Sequence, residues 1–307
     1  MTGAQVGPEA LTAGKAFVDL SSWRTIAVSG TDAFTWLNDI VSADIDGLAQ
    51  GEARRSLFLA PTGGVRASFT VAMPFDKLLL VQDPTEPRPI DGLLSTYVLS
   101  SDVQIHDRSG DFAIFAFPGT SDVPDPPGTV ESIPSALGAG ADVMAHARDH
   151  DRLAASFAES FAQATGEAVE AWRVATAIPR VGVDTADGDL PQESGLQHVV
   201  AFDKGCFLGQ EAVAKVRNLG HPRRLLLPLG GDGPLAAGDE VMSNDEPAGV
   251  ITSAARFDGR IVALARIRWE HRDGALRTRD GVGLETRPVR SPGAPGPSDR
   301  AATPSRP

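Results

Sequence analysis

From Arg223 onward the sequence breaks into short apolar stretches, "RRLLLPLGG", "GDEVMSN", "AGVITSAA" and "GRIVALARIRW", each closed by Gly or Asp turns. Such punctuation leaves no room for long helices and predicts a small barrel or sandwich that folds as its own domain. Upstream, the chain alternates strands with a few helices. "RTIAVSG" (residues 24–30) reads as a strand, and Thr31 is placed to cap a helix with Phe34, Leu37 and Val41 on one face. "RRSLFLA", the turn "PTGG", "VRASFTVAMP" and "KLLLVQD" predict three more strands. A helical period follows at Ile90, Leu93, Leu94 and Tyr97, and "VQIHDRS" and "FAIFAF" close the block as strands.

Residues 118–140 are crowded with Pro and Gly and read as a surface loop or domain boundary. Beyond them Leu153, Phe157 and Phe161 lie four apart, in a helix expected to stop near Gly166. "EAVEAWRVATAIPR" predicts a second helix, broken by Pro179. The tail from about Ser291 has almost nothing to bury and is expected to be disordered.

At 307 residues with 42% hydrophobic content, two or three domains are expected. No run approaches the roughly 18 uninterrupted apolar residues of a membrane span, and the opening residues lack the basic and apolar regions of a secretory signal, so a cytoplasmic location is expected. The net charge of -12 argues against broad attachment to nucleic acid or to an anionic membrane. Any anionic ligand must therefore meet a few placed cations.

The only cysteine, Cys206, lies in "KGCFLGQE", residues 204–211. One cysteine makes no internal disulfide and cannot by itself supply the roughly four ligands of a zinc or iron–sulfur site. Glu211 and Lys215 at i,i+4, with Gly220 and Pro222 as a stop, predict a helix beginning near Gly209. Cys206 then precedes a helix N-terminus with Lys204 nearby, an environment that favours a thiolate. Equally, it reads as a small buried hydrophobe at a strand-to-helix corner. The six histidines show no metal-ligand spacing; His146 and His150 read as a solvated pair, while His198 and His221 flank the thiol motif.

The run "LPQESGL…VAFDKGCFLGQEAVAK" closely resembles the signature of the YgfZ family, folate-binding proteins related to the glycine cleavage T-protein and tied to maturation of iron–sulfur enzymes. "DLSSWRTIAVSGTDAFTWLNDIVSADIDGL", "LFLAPTGGVRASFTV", "AGVITSA" and "IVALARI" resemble further family blocks in order. The resemblance implies an α+β fold: a three-lobed T-protein-like ring around a central folate cavity, with two α+β lobes and a C-terminal β-barrel. The expected lobes are residues 1–53 plus 142–222, a discontinuous first lobe carrying the cysteine motif; 54–141; and 223–290, before the tail 291–307. T-protein relatives use an aspartate in a stretch that reads glycine, two variable positions and two acids. Here that stretch ends in Ala67 and Ser68, without a carboxylate. This departure points toward an accessory protein rather than a conventional enzyme. Asp44 in "VSADID" matches a family position, with Ala43 in place of a commonly polar neighbour.

The implied ligand is tetrahydrofolate or a derivative, and the implied partners are iron–sulfur carrier or client proteins. Cys206 and Lys204 are the expected reactive residues, and no metal site is expected. A pterin offers adjacent N–H donors that one carboxylate accepts, and the resemblance assigns that role to Glu193, against the alternative of an exposed loop acid. Arg173, Arg180 and Arg217 are candidates for folate's anionic tail, each with the alternative of a solvated cation. Lys204 is a further binding candidate, unless it pairs with Glu211. Gln210 and Glu211 either position Cys206 or a bound group, or simply cap the first helical turn.

Overall fold

The computed structural model describes residues 6–123, 128 and 130–288. The expected disordered tail, 291–307, lies outside the described residues. In chain order the elements are α1 (Glu9–Thr12), β1 (Ala16–Asp19), β2 (Arg24–Ser29), α2 (Ala33–Ile40), β3 (Ala53–Leu59), β4 (Val65–Ala72), β5 (Leu79–Gln82), α3 (Ile90–Ser95), β6 (Gln104–Asp107) and β7 (Phe112–Phe117). Next come β8 (Val130–Pro134), β9 (Ala141–His146), α4 (His150–Ala158), β10 (Ala162–Gln163), α5 (Gly166–Ala175) and α6 (Gln210–Leu219). The last are β11 (Arg224–Gly231), β12 (Glu240–Ser243), β13 (Glu246–Phe257), β14 (Arg260–Arg268), β15 (Leu276–Thr278) and β16 (Gly283–Thr286).

The strands form two five-stranded sheets and one barrel. The first sheet, ordered β3-β4-β5-β2-β6, is antiparallel throughout. One of its faces is covered by α2 and α3, whose Trp36, Leu37, Ile40, Ile90 and Leu94 pack on Val28, Phe58, Phe69 and Leu80. Phe34, expected on the buried face of α2, is exposed, and Trp36 takes that place. The indole is fixed by a 3.1 Å bond from its Nε1 to the carbonyl of Tyr97.

The second sheet, β10-β1-β7-β9-β8, is antiparallel except for the parallel pairing of β1 with β10. All six residues of β7 are buried, because alternate side chains meet different layers. Phe112, Ile114 and Ala116 join Leu79 and Val81 of the first sheet and Trp172 of α5, whereas Ala113, Phe115 and Phe117 pack under Leu153 and Phe157 of α4. That double burial explains why "FAIFAF" carries no polar residue.

Three expectations change in detail. Residues 118–140, read as a loop, contain β8, which pairs with β9 as an edge strand ending in Pro134. Gly166 does not stop α4; it opens α5, with Thr165 accepting at 3.2 Å from the Ala168 N–H as its cap. Sheet membership also cuts across the boundaries at 53/54 and 141/142: β2 shares a sheet with β3 to β6, and β7 and β8 share one with β1 and β9.

The third unit is a closed six-stranded barrel, β11-β14-β13-β12-β15-β16. Its interior holds Leu229, Val241, Ile251, Ala263, Ala265 and Ile267. Helix α5 docks on its wall through Val174 against Val262 and Leu264. No helix among the described residues is long and apolar enough to cross a membrane.

Candidate functional site

The cysteine motif is a loop held down on both sides of its thiol. Lys204 sends its ammonium into a cage of oxygens at the end of α2, donating to the carbonyls of Asn38, Val41 (3.0 Å) and Ala43 (2.7 Å) and to Asn38 Oδ1 (3.1 Å). Burial pushes its pKa down to about 8, against the pull of Asp44 and Asp39. Phe207 is buried beside Leu57, Leu59, Val65 and Val213, with the Lys204 ammonium 5.3 Å from its ring centre. The Leu208 N–H donates to Asp39 O at 3.2 Å. Gly209, at φ +79°, approaches the strand–turn unit so closely that a Cβ would lie 2.4 Å from Ala60 O. Between these anchors Cys206 is exposed. The alternative of a buried corner hydrophobe is therefore not what the fold adopts.

Lys204 does not pair with Glu211, which stands exposed on the first turn of α6. Neither Gln210 nor Glu211 hydrogen-bonds to Cys206 through its side chain among the described residues. Arg217 lies over the Phe202 ring at 4.1 Å, and His221 stacks on Trp269 with ring centres 4.7 Å apart. His146 and His150 do not act as a pair. His146 stacks on Phe75 and Phe112, while His150 bonds to Asp19 (2.8 Å) and Asp151 (2.9 Å), whose hydrogen bonds raise its pKa. No cluster of three or more His, Cys, Asp or Glu suited to a metal exists among the described residues.

Glu193 is buried rather than an exposed loop acid. Its Oε1 accepts from the backbone N–H (3.0 Å) and Nε (3.1 Å) of Arg223, and its Oε2 from the Leu190 N–H (3.0 Å). Burial acts to raise its pKa, but these donors outweigh it and hold the group below the usual carboxylate range. Glu193 thereby ties the loop before the motif to the first strand of the barrel.

A separate cavity opens between the two sheets and α5. Trp23, Phe69, Val81, Leu137, Trp172 and Ile178 form its apolar walls, and Arg55, Ser68, Asp83, Glu86, Arg173 and Arg180 line it with polar groups. Of the sequence-selected residues, Arg173 and Arg180 reach it; Cys206, Lys204, Glu193, Gln210 and Glu211 do not line it.

The guanidinium of Arg173 is fully engaged. It donates to Asp184 Oδ2 (2.6 Å), Ile178 O (2.7 Å), Ser253 Oγ (2.8 Å) and both oxygens of Glu170. Burial opposes its charge, but Glu170 and Asp184 outweigh that and raise its pKa. Since Asp184 also accepts from Thr252 and Ser253 of β13, this network fastens α5 to the barrel. Arg180 is shared between Asp83 (3.4 Å) and Glu170 (3.0 Å).

Arg55 and Glu86 were not singled out by motif or spacing. Among the described residues Arg55 makes only two long bonds, both 3.4 Å, to one hydroxyl, Ser68 Oγ. Glu86 is buried, and its Oε2 accepts from the Ser68 N–H (3.0 Å) and Gln82 Nε2 (3.2 Å). Burial pushes the Glu86 carboxyl up to about 7. No motif marks either residue, because their meeting at Ser68 joins β3 and β4 to the loop after β5.

Residues 7–121 match the GCVT N-terminal domain. The chain is 23% identical over 282 residues to a putative chloroplastic transferase of Arabidopsis thaliana, covering 80% of this chain and 63% of that protein. It is 36% identical over 98 residues to the tRNA-modifying protein YgfZ of Aliivibrio fischeri, 29% of this chain and 31% of the relative. Over 119 residues it is 36% identical to the mitochondrial iron–sulfur cluster assembly factor IBA57 of Mus musculus, 35% and 32% of the two chains. The chain thus spans between about a third and two thirds of the length of these relatives. The glycine cleavage aminomethyltransferase T of Bartonella henselae has the same fold, with a TM-score of 0.76 at 17% identity over 92% of this chain and 89% of that one. Together these similarities are consistent with a YgfZ-like family related to the glycine cleavage T-protein, whose fold the chain shares.

Proposed function

We propose that this chain is a tetrahydrofolate-binding accessory protein that assists assembly or repair of iron–sulfur clusters, with Cys206 as its functional thiol. The observation that carries the proposal is the exposed sulfur on an anchored loop: Lys204, Phe207 and Leu208 are each held, while Cys206 between them is exposed. A thiol meant for packing would be turned into the Phe207 cluster instead. One cysteine leaves the remaining ligands of any cluster to a partner protein, which suits a transient contact. The likeness to an iron–sulfur cluster assembly factor supports this reading.

The lining of the cavity suits a folate in its chemistry: tryptophan walls for a flat ring and arginines for an anion in a chain of net charge -12. Trp23 and Trp172 would flank the ring, and Arg55, bonded only at 3.4 Å to Ser68 Oγ among the described residues, has donors left for an anion. Lys204 acts here as a positioning residue for the thiol loop. In cells lacking the native protein, Cys206→Ala is expected to leave folate binding and fold intact while lowering iron–sulfur enzyme activities. Full restoration of those activities by the variant rejects the thiol role.

The similarity to a putative transferase over 80% of the chain favours a second reading, transfer of an aminomethyl or methyl group from a small amine to tetrahydrofolate. Against it, neither Ala67 nor Ser68 carries the carboxylate of the transferase pattern. Turnover of a glycine-derived or methylamine donor by the purified protein with tetrahydrofolate would decide for the transferase.

A further inference from the structure

We propose that Glu86 and Arg55, brought together around Ser68, form the recognition pair of the cavity and read a flat heterocycle that carries an N–H donor beside a carbonyl oxygen. This rests on the folate reading above and specifies which residues serve it.

Both members of the pair have unused bonding capacity. A carboxylate oxygen accepts about two hydrogen bonds, and Glu86 Oε2 already takes two, from the Ser68 N–H and Gln82 Nε2. Its Oε1 takes none among the described residues, in a side chain that lines the cavity. One open oxygen accepts one N–H. On the other side of the same serine, Arg55 spends two of its five donors on two long bonds to Ser68 Oγ, which leaves N–H groups for an oxygen acceptor. Acceptor and donor converge on one residue between the apolar walls of Phe69 and Trp172. A ring lactam, such as the amide edge of a pterin, presents the complementary donor and acceptor side by side. Glu193 does not offer this, since Arg223 and the Leu190 N–H occupy both its oxygens.

The charged groups around Glu86 support this assignment. Arg55 on β3 favours the carboxylate, Asp83 on its own loop opposes it, and Arg24 donates to the Glu86 carbonyl at 3.3 Å rather than to its carboxyl. Arg173 and Arg180 face the cavity but are paired with Asp184, Glu170 and Asp83. His198 is held neutral toward lower pH by burial and Arg55. Ligand binding to the carboxylate form stabilises that form and lowers its pKa from about 7, so affinity should weaken as pH falls below 7, with protons released on binding.

Calorimetric titration of the full chain with 5-formyltetrahydrofolate, and with p-aminobenzoylglutamate as the tail without the ring, tests the pair. Glu86→Gln and Arg55→Gln are each expected to weaken 5-formyltetrahydrofolate by about tenfold or more, with little change for the tail fragment. The wild-type affinity should fall between pH 7.5 and 6, and that slope should vanish in Glu86→Gln. Melting curves of both variants establish that they fold. If the wild type binds 5-formyltetrahydrofolate and both variants bind it within twofold, the pair is rejected while the folate reading stands. If the folded wild type binds no folate at all, both are rejected.

Discussion

The cavity and the cysteine loop solve opposite problems with similar residues. In the cavity, charges from the loop after β5, α5 and the 178–184 segment are buried against one another, and Arg173 and Arg180 are each set by the carboxylates around them. In the loop, a single lysine is satisfied by main-chain and amide oxygens of one neighbouring turn, with no carboxylate in contact. The contrast teaches where each is vulnerable. A charge network fails when one member leaves another uncompensated, whereas a carbonyl cage fails locally and frees only the segment it tethers.

The largest expected effect tests the network. Arg173→Ala strands Asp184, which is fully buried, and should cost about 4 kcal/mol in urea unfolding. A loss below about 1 kcal/mol would mean that Thr252 and Ser253 suffice to hold the aspartate, and the network view would fail. Lys204→Met keeps the side-chain bulk but strips the donors from four oxygens. It should cost about 3 kcal/mol and should change the alkylation rate of Cys206, because the loop bearing the sulfur loses its tether.

A third prediction sharpens the contrast through pH. The Glu86 carboxyl has its folded pKa raised from 4.5 to about 7, so the folded state holds a proton that the unfolded chain has released. Stability from this group therefore falls as pH rises from about 4.5 to 7, and above pH 7 the penalty reaches about 3 kcal/mol. Glu86→Gln should accordingly stabilise the protein at pH 8 and leave it nearly unchanged at pH 4. Thermal melts at the two pH values check this, and equal shifts at both would refute it. The smallest effect concerns the thiol. Cys206→Ser should change stability by less than about 0.5 kcal/mol, and iodoacetamide should label native and urea-unfolded protein at comparable rates.

How far each region was legible in the sequence follows the same division. The cysteine loop is contiguous: Gly209 needs a left-handed backbone, Lys204 sits at fixed spacing, and α6 has its periodicity and stop, so eight residues were enough to mark it. What spacing did not reveal is that Lys204 turns to α2 rather than to Glu211. The destination of a flexible ammonium depends on which carbonyls happen to lie beside it. The C-terminal unit was legible because its short strands end in Gly and Asp turns and three of its pairings, β12–β13, β13–β14 and β15–β16, join consecutive strands. Sheet membership in the rest was not, since β2 pairs with β6 and β7 with β1, strands far away in sequence, and alternation alone carries no address for a distant partner.

From the sequence alone came most strand and helix types, a barrel or sandwich for the C-terminal unit and the motif that carries Cys206, because turn chemistry, periodicity and glycine conformation act over a few residues. Tertiary structure alone decided that Arg55, Ser68 and Glu86 meet, that Glu193 is spent on Arg223, and that Arg173 fastens α5 to the barrel. Burial and charge pairing arise only when segments far apart in the chain are folded against one another, and so they leave no local trace.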